Sequence, residues 1–539
     1  MLLKPKKNKK TLIINNERLE TRVALVKDDK LEEYMIERSD VPCAVGSVYL
    51  GRVVNVEPTL RAVFVNIGED RNAFLPFKEM LPVTHDLADN IKKKPANTPS
   101  GKRAATPLAR KLTEIEGRIR KMKGARITYK DIPSLFPKDS EVLVQIAKGP
   151  IGTKGPKVTM DISLAGRYLV LLPFADNIGL SRKITDGKER SRLRKIMEEL
   201  EIPDGLGCIC RTNAEERKKV FLKRDLDTLL ELWKRVETAN IKPGRPALLY
   251  KAPNLLERTA RDSLTEDVDR IVIDDKPGYS FVKDFLVKVA GRRMASRVAL
   301  HAKASPIFEA YKVEDQISAI FERKVLLDGG GYICVDETEA LVAIDVNSGI
   351  RKGKDQSDTA LDTNLAACEE IARQLRLRDV GGLVVIDFID MRSQKDRDLV
   401  LKLMRRLVKE DRARSMVLPI SKLGLMQMTR QRENESVLDR VFDPCPHCAG
   451  TGRIKSPVSV SVLIQRRLRE VLTRHQREKD LAIRINVHPS VLARLKNEDG
   501  DHISELEGRY GHQLTFRADS SLHHEEFKMV DPDTGVELR

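Results

Sequence analysis

The sequence lacks the features of membrane-spanning and secreted proteins. None of its uninterrupted apolar runs approaches the roughly 18 residues that a membrane span requires. The basic stretch at 1–10 is followed by a few apolar residues, whereas a secretory signal needs about 7–15. Seven cysteines in 539 residues, an odd number, do not suit a disulfide scaffold. We therefore expect a soluble, cytoplasmic protein without a transmembrane segment.

Aromatic residues are also scarce, whereas basic residues are abundant. Aromatics make up 4% of the chain with a single tryptophan, so the cores should be mainly aliphatic. The net charge of +17 arises from 97 basic and 80 acidic residues. Such an excess favours a polyanionic partner, because bound phosphates release counterions. A generally basic protein without such a partner fits the charge equally well.

The chain length indicates three to five structural units, at about 100–200 residues per domain. A strand-rich stretch at 45–76 is followed by a basic, proline-containing insertion at 83–136, which we interpret as mobile with one helix near 108–123. The tail after 456 has the pattern of a small α/β domain. Further strands are expected at 11–14, 22–26, 33–37, 141–147, 207–211, 270–274 and 482–487, and helices at 186–201, 214–238 and 490–496.

Two short apolar runs, ALVAIDVNS at 340–348 and GLVVIDFIDM at 382–391, contain acidic residues near their ends. Both are rich in β-branched residues, which is typical of buried strands in a parallel sheet. The segment at 363–379 between them carries apolar residues at helical spacing. Strand, helix and strand form a βαβ unit, which makes the two strands parallel.

Three polar side chains of this unit are candidate catalytic residues. Asp345 and Asn347 lie two residues apart and therefore share a face of their strand. Asp387 follows the second strand, and parallel strands carry their sites at the carboxyl ends. Two neighbouring carboxylates suit Mg²⁺, which prefers oxygen ligands and can assist phosphodiester hydrolysis. The alternative is that these acids only form turns at strand ends.

Three longer segments make the functional prediction more specific. AIDVNS, TNLAACEEIARQLRLRDVGGLVVIDFIDM and LGLMQMTRQR resemble the nuclease signature of the ribonuclease E/G family. The resemblance implies a magnesium-dependent endoribonuclease that cuts single-stranded RNA to leave 5′-phosphate and 3′-hydroxyl ends. It also implies that Asp345 and Asp387 hold the Mg²⁺ and that Asn347 assists at the scissile phosphate. The stretch at 349–354 is less similar, and we assign no role there.

The strand-rich stretch at 46–76 is similar to an S1 domain, a small barrel of the OB type. In RAVFVNIG, Phe64 lies on the more polar face of its strand, where an aromatic ring can stack on a base. Phe74 follows near a turn, and Lys154 lies in the loop PIGTKGPK. The resemblance implies that these three residues contact RNA. On patterning alone, one or both phenylalanines could equally belong to the core.

SLAGRYLVLLP at 163–173 and CRTNA at 210–214 resemble the family's 5′-sensor. The positions that match are Gly166, Val170, Arg211 and Thr212. An arginine offers a planar fork of donors for phosphate, and a glycine allows close approach of the backbone. The resemblance implies that a 5′-monophosphate stimulates cleavage.

CPHCAGTG at 445–452 places Cys445 and Cys448 at the spacing of a zinc half-site, whereas structural zinc needs four ligands. A histidine could complete the site, although His447 is a poor geometric candidate. The thiols could be a redox pair, although we recognise no thioredoxin-like context. Two chains could also contribute two thiolates each. The resemblance favours this last reading and implies a homodimer joined by zinc, whose dimers could pair into a homotetramer.

The resemblance covers nearly the whole chain and implies a multidomain α/β and α+β fold. Its expected parts are a ribonuclease-H-like structural subdomain (1–41 and 258–320), an S1 barrel with the insertion (42–160), a 5′-sensor (161–257), a deoxyribonuclease-I-like nuclease subdomain (321–440), a zinc link (441–455) and a small C-terminal domain (456–539).

The C-terminal part at 456–539 resembles the short ribonuclease G type of member more than ribonuclease E, so we expect no degradosome scaffold tail. Two rival interpretations remain. One is a non-catalytic S1-domain RNA-binding protein, and the other is a DNA nuclease that uses the same metal site. Maturation of ribosomal RNA and decay of messenger RNA are both consistent with the resemblance.

Overall fold

The computed structural model describes most of the chain, in two compact units at 1–440 and 441–539, which we treat separately. The described residues are 9–38, 44–84, 118–119, 127–150, 154–175, 177–239, 244–264, 267–349, 356–431, 436–475 and 482–538. The helix expected near 108–123 lies almost entirely outside them.

Strands occur throughout the described residues. In chain order they are β1 (Lys10–Asn16), β2 (Glu20–Lys27), β3 (Lys30–Arg38), β4 (Val48–Glu57), β5 (Ala62–Asn66), β6 (Ala73–Pro76), β7 (Glu141–Lys148), β8 (Lys157–Thr159), β9 (Leu164–Ala165), β10 (Leu169–Leu172), β11 (Ile178–Leu180), β12 (Gly207–Cys210), β13 (Ala247–Tyr250), β14 (Arg270–Ile273), β15 (Val298–Leu300), β16 (Lys324–Leu326), β17 (Tyr332–Glu337), β18 (Leu341–Asn347), β19 (Gly382–Asp387), β20 (Ser415–Val417), β21 (Leu425–Arg430), β22 (Ile483–Val487), β23 (Leu514–Ala518) and β24 (Phe527–Val530).

Helices alternate with these strands. They are α1 (Ile132–Leu135), α2 (Gly187–Glu198), α3 (Lys219–Glu237), α4 (Leu255–Asp262), α5 (Lys276–Val289), α6 (Arg292–Ala295), α7 (Ile307–Ala310), α8 (Glu314–Ser318), α9 (Gln356–Leu377), α10 (Gln394–Leu407), α11 (Val437–Val441), α12 (Pro457–Arg474), α13 (Pro489–Asn497) and α14 (Gly500–Tyr510), with 3₁₀ turns at Phe77–Glu79, Thr212–Ala214 and Ala319–Phe321.

The expected strands are confirmed to within three residues at their ends, but one helix begins later than expected. The helix expected at 214–238 starts at Lys219. Glu216 has a positive φ of 61° and Lys218 has an extended ψ of 150°, so the backbone cannot be helical before that point.

The first sheet joins two segments that are far apart in sequence. Its strand order is β15-β14-β1-β2-β3, in which β1 runs parallel to β14 and antiparallel to β2. Helices α4 and α5 pack on it through an aliphatic cluster that includes Leu255, Leu256, Val282 and Leu286.

The second sheet closes into a five-stranded barrel. The order β4-β5-β6-β8-β7 returns to β4 through a β4–β7 pairing, and β13 flanks β4 on the other side. The expected small β-barrel is therefore present. The expectation that the whole of 83–136 is mobile is wrong at its end, because the side chains of Ile127, Ile132 and Phe136 are buried in the barrel's core.

The third sheet is small, with the order β11-β12-β10-β9. Helix α3 packs against it through a leucine-rich face. Trp233, the single tryptophan, makes an edge contact with Phe174, with the ring centroids 5.8 Å apart.

The fourth sheet has the order β16-β17-β18-β19-β21-β20. Helix α9 connects β18 to β19, and these two strands are parallel as expected. The other pairs are antiparallel, and α9 and α10 cover only one face. The expectation of strands buried on both faces of a parallel sheet is therefore wrong, because Ala343 and Asp345 are exposed on what we call the open face.

The second unit contains a three-stranded sheet with the order β23-β22-β24 and helices α12 to α14, which share one aliphatic core. Strand β22 is parallel to β23 and antiparallel to β24. A small α/β domain was expected here. In the part of the chain that the structure describes, no helix is both long and apolar enough to cross a membrane.

Candidate functional site

The two acidic residues of the predicted catalytic group lie side by side. Asp345 on β18 and Asp387 at the end of β19 are direct partners in the parallel register. Adjacent strands are about 4.8 Å apart, so the two carboxylates emerge within reach of a common ion. Both side chains are exposed.

Asn347 lies on the same face as the acids. Its Nδ2 donates a hydrogen bond of 2.6 Å to Oδ2 of Asp345. The amide therefore orients one carboxylate and leaves its own Oδ1 available to other donors.

Strand alternation decides which side chains reach the open face. Ile344, Val346 and Ile386 point to the opposite side and are buried against α9 and α10. A shift of one residue in either strand would bury an acid and expose an isoleucine. Burial of the apolar side chains in the core therefore stabilises the observed register.

The loop after Asp387 is fixed by a residue that the sequence analysis missed. Asn364 on α9 is fully buried. Its Nδ2 donates to the backbone carbonyl of Ile389 at 2.8 Å, and its Oδ1 accepts from the Ile389 N–H at 3.0 Å. The only sign of this role in the sequence is that Asn364 carries an amide on the apolar side of a helix.

The donor set suits a hard divalent cation held by few protein ligands. Among the described residues, no group of three or more His, Cys, Asp or Glu side chains is arranged to hold a metal. Asp345 and Asp387 provide two carboxylates, and Mg²⁺ commonly binds through one or two, with waters and substrate phosphates completing its shell. The residues present therefore fit Mg²⁺.

A cation lies near the acids but is already engaged. Arg323 makes a two-pronged ion pair with Asp336. The Asp336 carboxylate raises the pKa of Arg323, and Cys334 and Asp345 add smaller contributions. The acid pair is thus not neutralised by a direct ion pair with this arginine.

The barrel places the two predicted phenylalanines in contact. Phe64 on β5 and Phe74 on β6 are cross-strand partners, with ring centroids 5.9 Å apart at 61°. Both are half-buried and neither belongs to the barrel's core cluster. Lys154 is exposed and lies near Phe74, whose N–H donates to the Pro156 carbonyl at 2.8 Å.

The third sheet brings the four predicted sensor residues to one region. Val170 on β10 pairs with Ile209 on β12. Arg211 follows β12, and its Nη1 donates to the Gly166 carbonyl at 2.6 Å. Thr212 begins the adjacent 3₁₀ turn.

A carboxylate that the sequence analysis missed holds Arg211. Asp262, the last residue of α4, accepts from Arg211 Nη1 at 2.6 Å and also pairs with Arg261. Burial opposes ionisation of Asp262, but Arg261 and Arg211 outweigh it and hold its pKa below the ordinary value.

A second buried acid supports the turn that contains Gly166. Asp225 on α3 accepts hydrogen bonds from the backbone N–H groups of Arg167, Tyr168 and Leu169 at 2.8 to 3.1 Å. Burial raises the pKa of Asp225, although the three backbone donors oppose this.

Cys445 and Cys448 lie together in a turn of the second unit. The backbone N–H groups of Gly452 and Gly450 lower the pKa of the Cys448 thiol, and the Cys445 side chain contributes. The backbone carbonyl oxygen of His447 accepts a hydrogen bond of 2.8 Å from Nε2 of His523. The described residues offer the two thiols no further pair of metal ligands.

Comparisons with known proteins identify two matching family models and several relatives. The family model described as "Ribonuclease E/G family" matches residues 163–433, and one described as "RNase E/G, Thioredoxin-like domain" matches residues 444–532. Ribonuclease G of Escherichia coli (strain K12) is 34% identical over 520 residues, which are 96% of this chain and 99% of that protein. Ribonuclease E of Buchnera aphidicola subsp. Schizaphis graminum is 35% identical over 503 residues, which are 93% of this chain and 48% of that protein.

Substitution of Gly166 by alanine should destabilise the region around the third sheet. The new Cβ would lie 2.5 Å from Oδ2 of Asp225, which three backbone donors prevent from moving aside. We expect Gly166→Ala to lower the free energy of unfolding by about 1–3 kcal/mol, measured by denaturant titration. Gly179→Ala in the same sheet, whose Cβ would meet nothing nearer than 3.7 Å, is the control. Equal stabilities of the two variants would refute the steric argument.

Proposed function

The chain belongs to the ribonuclease E/G family and is an endoribonuclease of that type; we propose that it cuts single-stranded RNA at Asp345, Asn347 and Asp387 with Mg²⁺. The observation that carries the proposal is the direct pairing of Asp345 with Asp387 on an exposed sheet face. Its role in the cell is RNA processing or decay, with ribosomal and messenger RNA as the proposed substrates.

Each residue of the group has a distinct proposed task. Asp345 and Asp387 would hold the ion between their carboxylates, and Asn347 would keep Asp345 oriented through the 2.6 Å hydrogen bond. The ion, when bound, supplies polarisation of a phosphoryl oxygen and stabilisation of the leaving oxygen. Asn347 can also hydrogen-bond the phosphate or the attacking water without adding negative charge. The proposed products carry 5′-phosphate and 3′-hydroxyl ends.

Asp387→Asn should abolish most cleavage without loss of RNA binding. Losing one group that stabilises developing charge typically costs about 100- to 1000-fold in kcat. Cleavage of a fluorescent single-stranded RNA in Mg²⁺ measures the effect, and a DNA of the same sequence tests the rival DNA nuclease.

Asp398→Asn is the matched control. Asp398 is an exposed residue on helix α10, which covers the opposite face of the sheet, so this variant should retain wild-type activity. If the wild type binds the RNA without cutting it, the alternative of a non-catalytic S1-domain RNA-binding protein is correct.

The barrel supports the choice of single-stranded RNA. Phe64 and Phe74 present adjacent aromatic rings at its surface, and unpaired bases stack on such rings regardless of sequence. Lys154 adds an exposed positive charge near them for a phosphate. We propose that these three residues bind the RNA chain.

We propose that the third sheet binds the 5′ end of RNA. Arg211 and Thr212 would donate to a terminal phosphate, and Gly166 and Val170 would line the site. Asp262 lies 2.6 Å from Arg211 and would repel the extra charge of a triphosphate, which favours a monophosphate.

RNA with a 5′-monophosphate should be cut about tenfold or more faster than RNA with a 5′-triphosphate, since hydrogen bonds to charged groups contribute about 1.5–3 kcal/mol. Arg211→Ala should remove the difference and leave cleavage of RNA with a 5′-hydroxyl unchanged. Lys188→Ala, an exposed residue on α2 of the same region, is the control. Equal wild-type rates on the two 5′ ends would contradict a sensor.

We also propose that Cys445 and Cys448 of two chains share one Zn²⁺ and so form a homodimer, which could assemble further into a tetramer. The lowered pKa of the Cys448 thiol and the lack of a second pair of ligands among the described residues support this arrangement. The thioredoxin-like description of the second family model supports the redox alternative.

Metal analysis should find about one zinc per two chains, because four thiolates complete a structural site. Cys445→Ser should lose the zinc and sediment as a monomer. His447→Ala should keep both the zinc and the dimer, which excludes histidine as a ligand. Absence of zinc together with a disulfide between the two cysteines would support the redox pair instead.

The domain boundaries given in the sequence analysis also remain a proposal. The first sheet combines strands from 10–38 and 270–300, which supports a single subdomain made of residues 1–41 and 258–320. The barrel supports the S1 part in the same way, the third sheet supports the sensor part, and the fourth sheet supports the nuclease part.

A further inference from the structure

An aromatic ring and a cation lie on the open face of the fourth sheet, next to the acid pair. Tyr332 on β17 is the direct partner of Asn347 on β18. Lys324 on β16 is the partner of Cys334, which in turn is the partner of Asp345. At about 4.8 Å per strand, the ring is one strand and the lysine two strands from Asp345 and Asn347 on β18.

The lysine and the tyrosine contact each other. The Lys324 Nζ lies 3.8 Å from the centroid of the Tyr332 ring. Among the described residues Lys324 has no ion-pair partner, whereas its neighbour Arg323 is bound to Asp336. The charge of Lys324 is therefore available, and the ring holds it in place.

These side chains do not belong to the sheet's core. Ile333 and Val335, the residues that flank Cys334, face the helices, so Tyr332 projects to the other side and is half-buried. Leu326, the partner of Tyr332 on β16, is 75% exposed. A half-buried ring beside an exposed leucine gives a flat apolar surface open to solvent.

On the basis of the nuclease function proposed above, we propose that Tyr332 and Lys324 form a binding subsite for a nucleotide next to the scissile phosphate. The base stacks on the Tyr332 ring, and the Lys324 ammonium moves from the ring to the adjoining phosphate. The exchange is favourable because an exposed cation–π contact is weaker than stacking of a base on an aromatic ring. The subsite aligns the RNA across the sheet so that its phosphate reaches Asp345 and Asp387.

Tyr332→Leu should raise KM about 5- to 100-fold with little change in kcat, because stacking is lost but the catalytic group is intact. Tyr332→Phe keeps the ring, so its KM should stay within about twofold of the wild-type value. The substrate is a short fluorescent single-stranded RNA with a 5′-hydroxyl and one cleavage site. Thermal melting of each variant checks that it is folded.

The same RNA with single abasic nucleotides locates the stacked base. In the wild type, one abasic position beside the cleavage site should raise KM as much as Tyr332→Leu does. In Tyr332→Leu that abasic position should have no further effect. Equal effects of this abasic position in the two proteins would overturn the subsite.

Lys324→Gln should lower the slope of log KM against log salt by about 0.7, the value for one phosphate contact on a single strand. Lys402→Gln removes the same charge from an exposed position on α10, which covers the opposite face of the sheet, and should leave the slope unchanged. Equal slopes for all three proteins would refute the phosphate contact.

Binding of the same RNAs to Asp387→Asn, measured by fluorescence anisotropy, separates this subsite from the proposed function. A loss of affinity on adding Tyr332→Leu supports the subsite whether or not the wild type cuts the RNA. Unchanged affinity in the double variant would overturn the subsite and leave the nuclease proposal intact.

Discussion

The parallel pairing of β18 with β19 is the constraint on which the candidate catalytic group depends. It places Asp345 and Asp387 one strand spacing apart, where two like charges repel unless a cation lies between them. The apolar residues on the reverse side of the same strands, including Ile344 and Ile386, hold the register by their burial against α9 and α10. Core packing on one face therefore maintains an unfavourable charge arrangement on the other, as is common at functional sites.

Helix α9 connects this sheet to the rest of the first unit. Its buried Asn364 fixes the backbone that follows Asp387. On its other side, Arg373 donates to the Leu31 carbonyl and Arg376 pairs with Glu32, both on β3 of the first sheet. The first sheet thus braces the helix that supports the acids.

Cations in two of the candidate phosphate-binding regions are held in different ways. Arg211 is held by Asp262, so a phosphate there must share the guanidinium with a carboxylate. Lys324 is held by an aromatic ring, and among the described residues its charge has no ion-pair partner. A planar guanidinium can bind two acceptors at once, which suits a fixed pocket for the end of an RNA chain. An ammonium acts as a point charge, which suits an RNA chain that moves.

The sequence alone determined the features that depend on local periodicity. Alternation along one strand placed Asp345 and Asn347 on the same face, and the helix between the two apolar runs required β18 and β19 to be parallel. Only the tertiary structure decided that the sheet is mixed with one open face, that Asp345 and Asp387 are direct partners, and that Asp262, Asn364 and Tyr332 lie beside the predicted residues. Those relations join strands and helices that are distant in the chain, and they are set by which surfaces bury each other rather than by any local pattern.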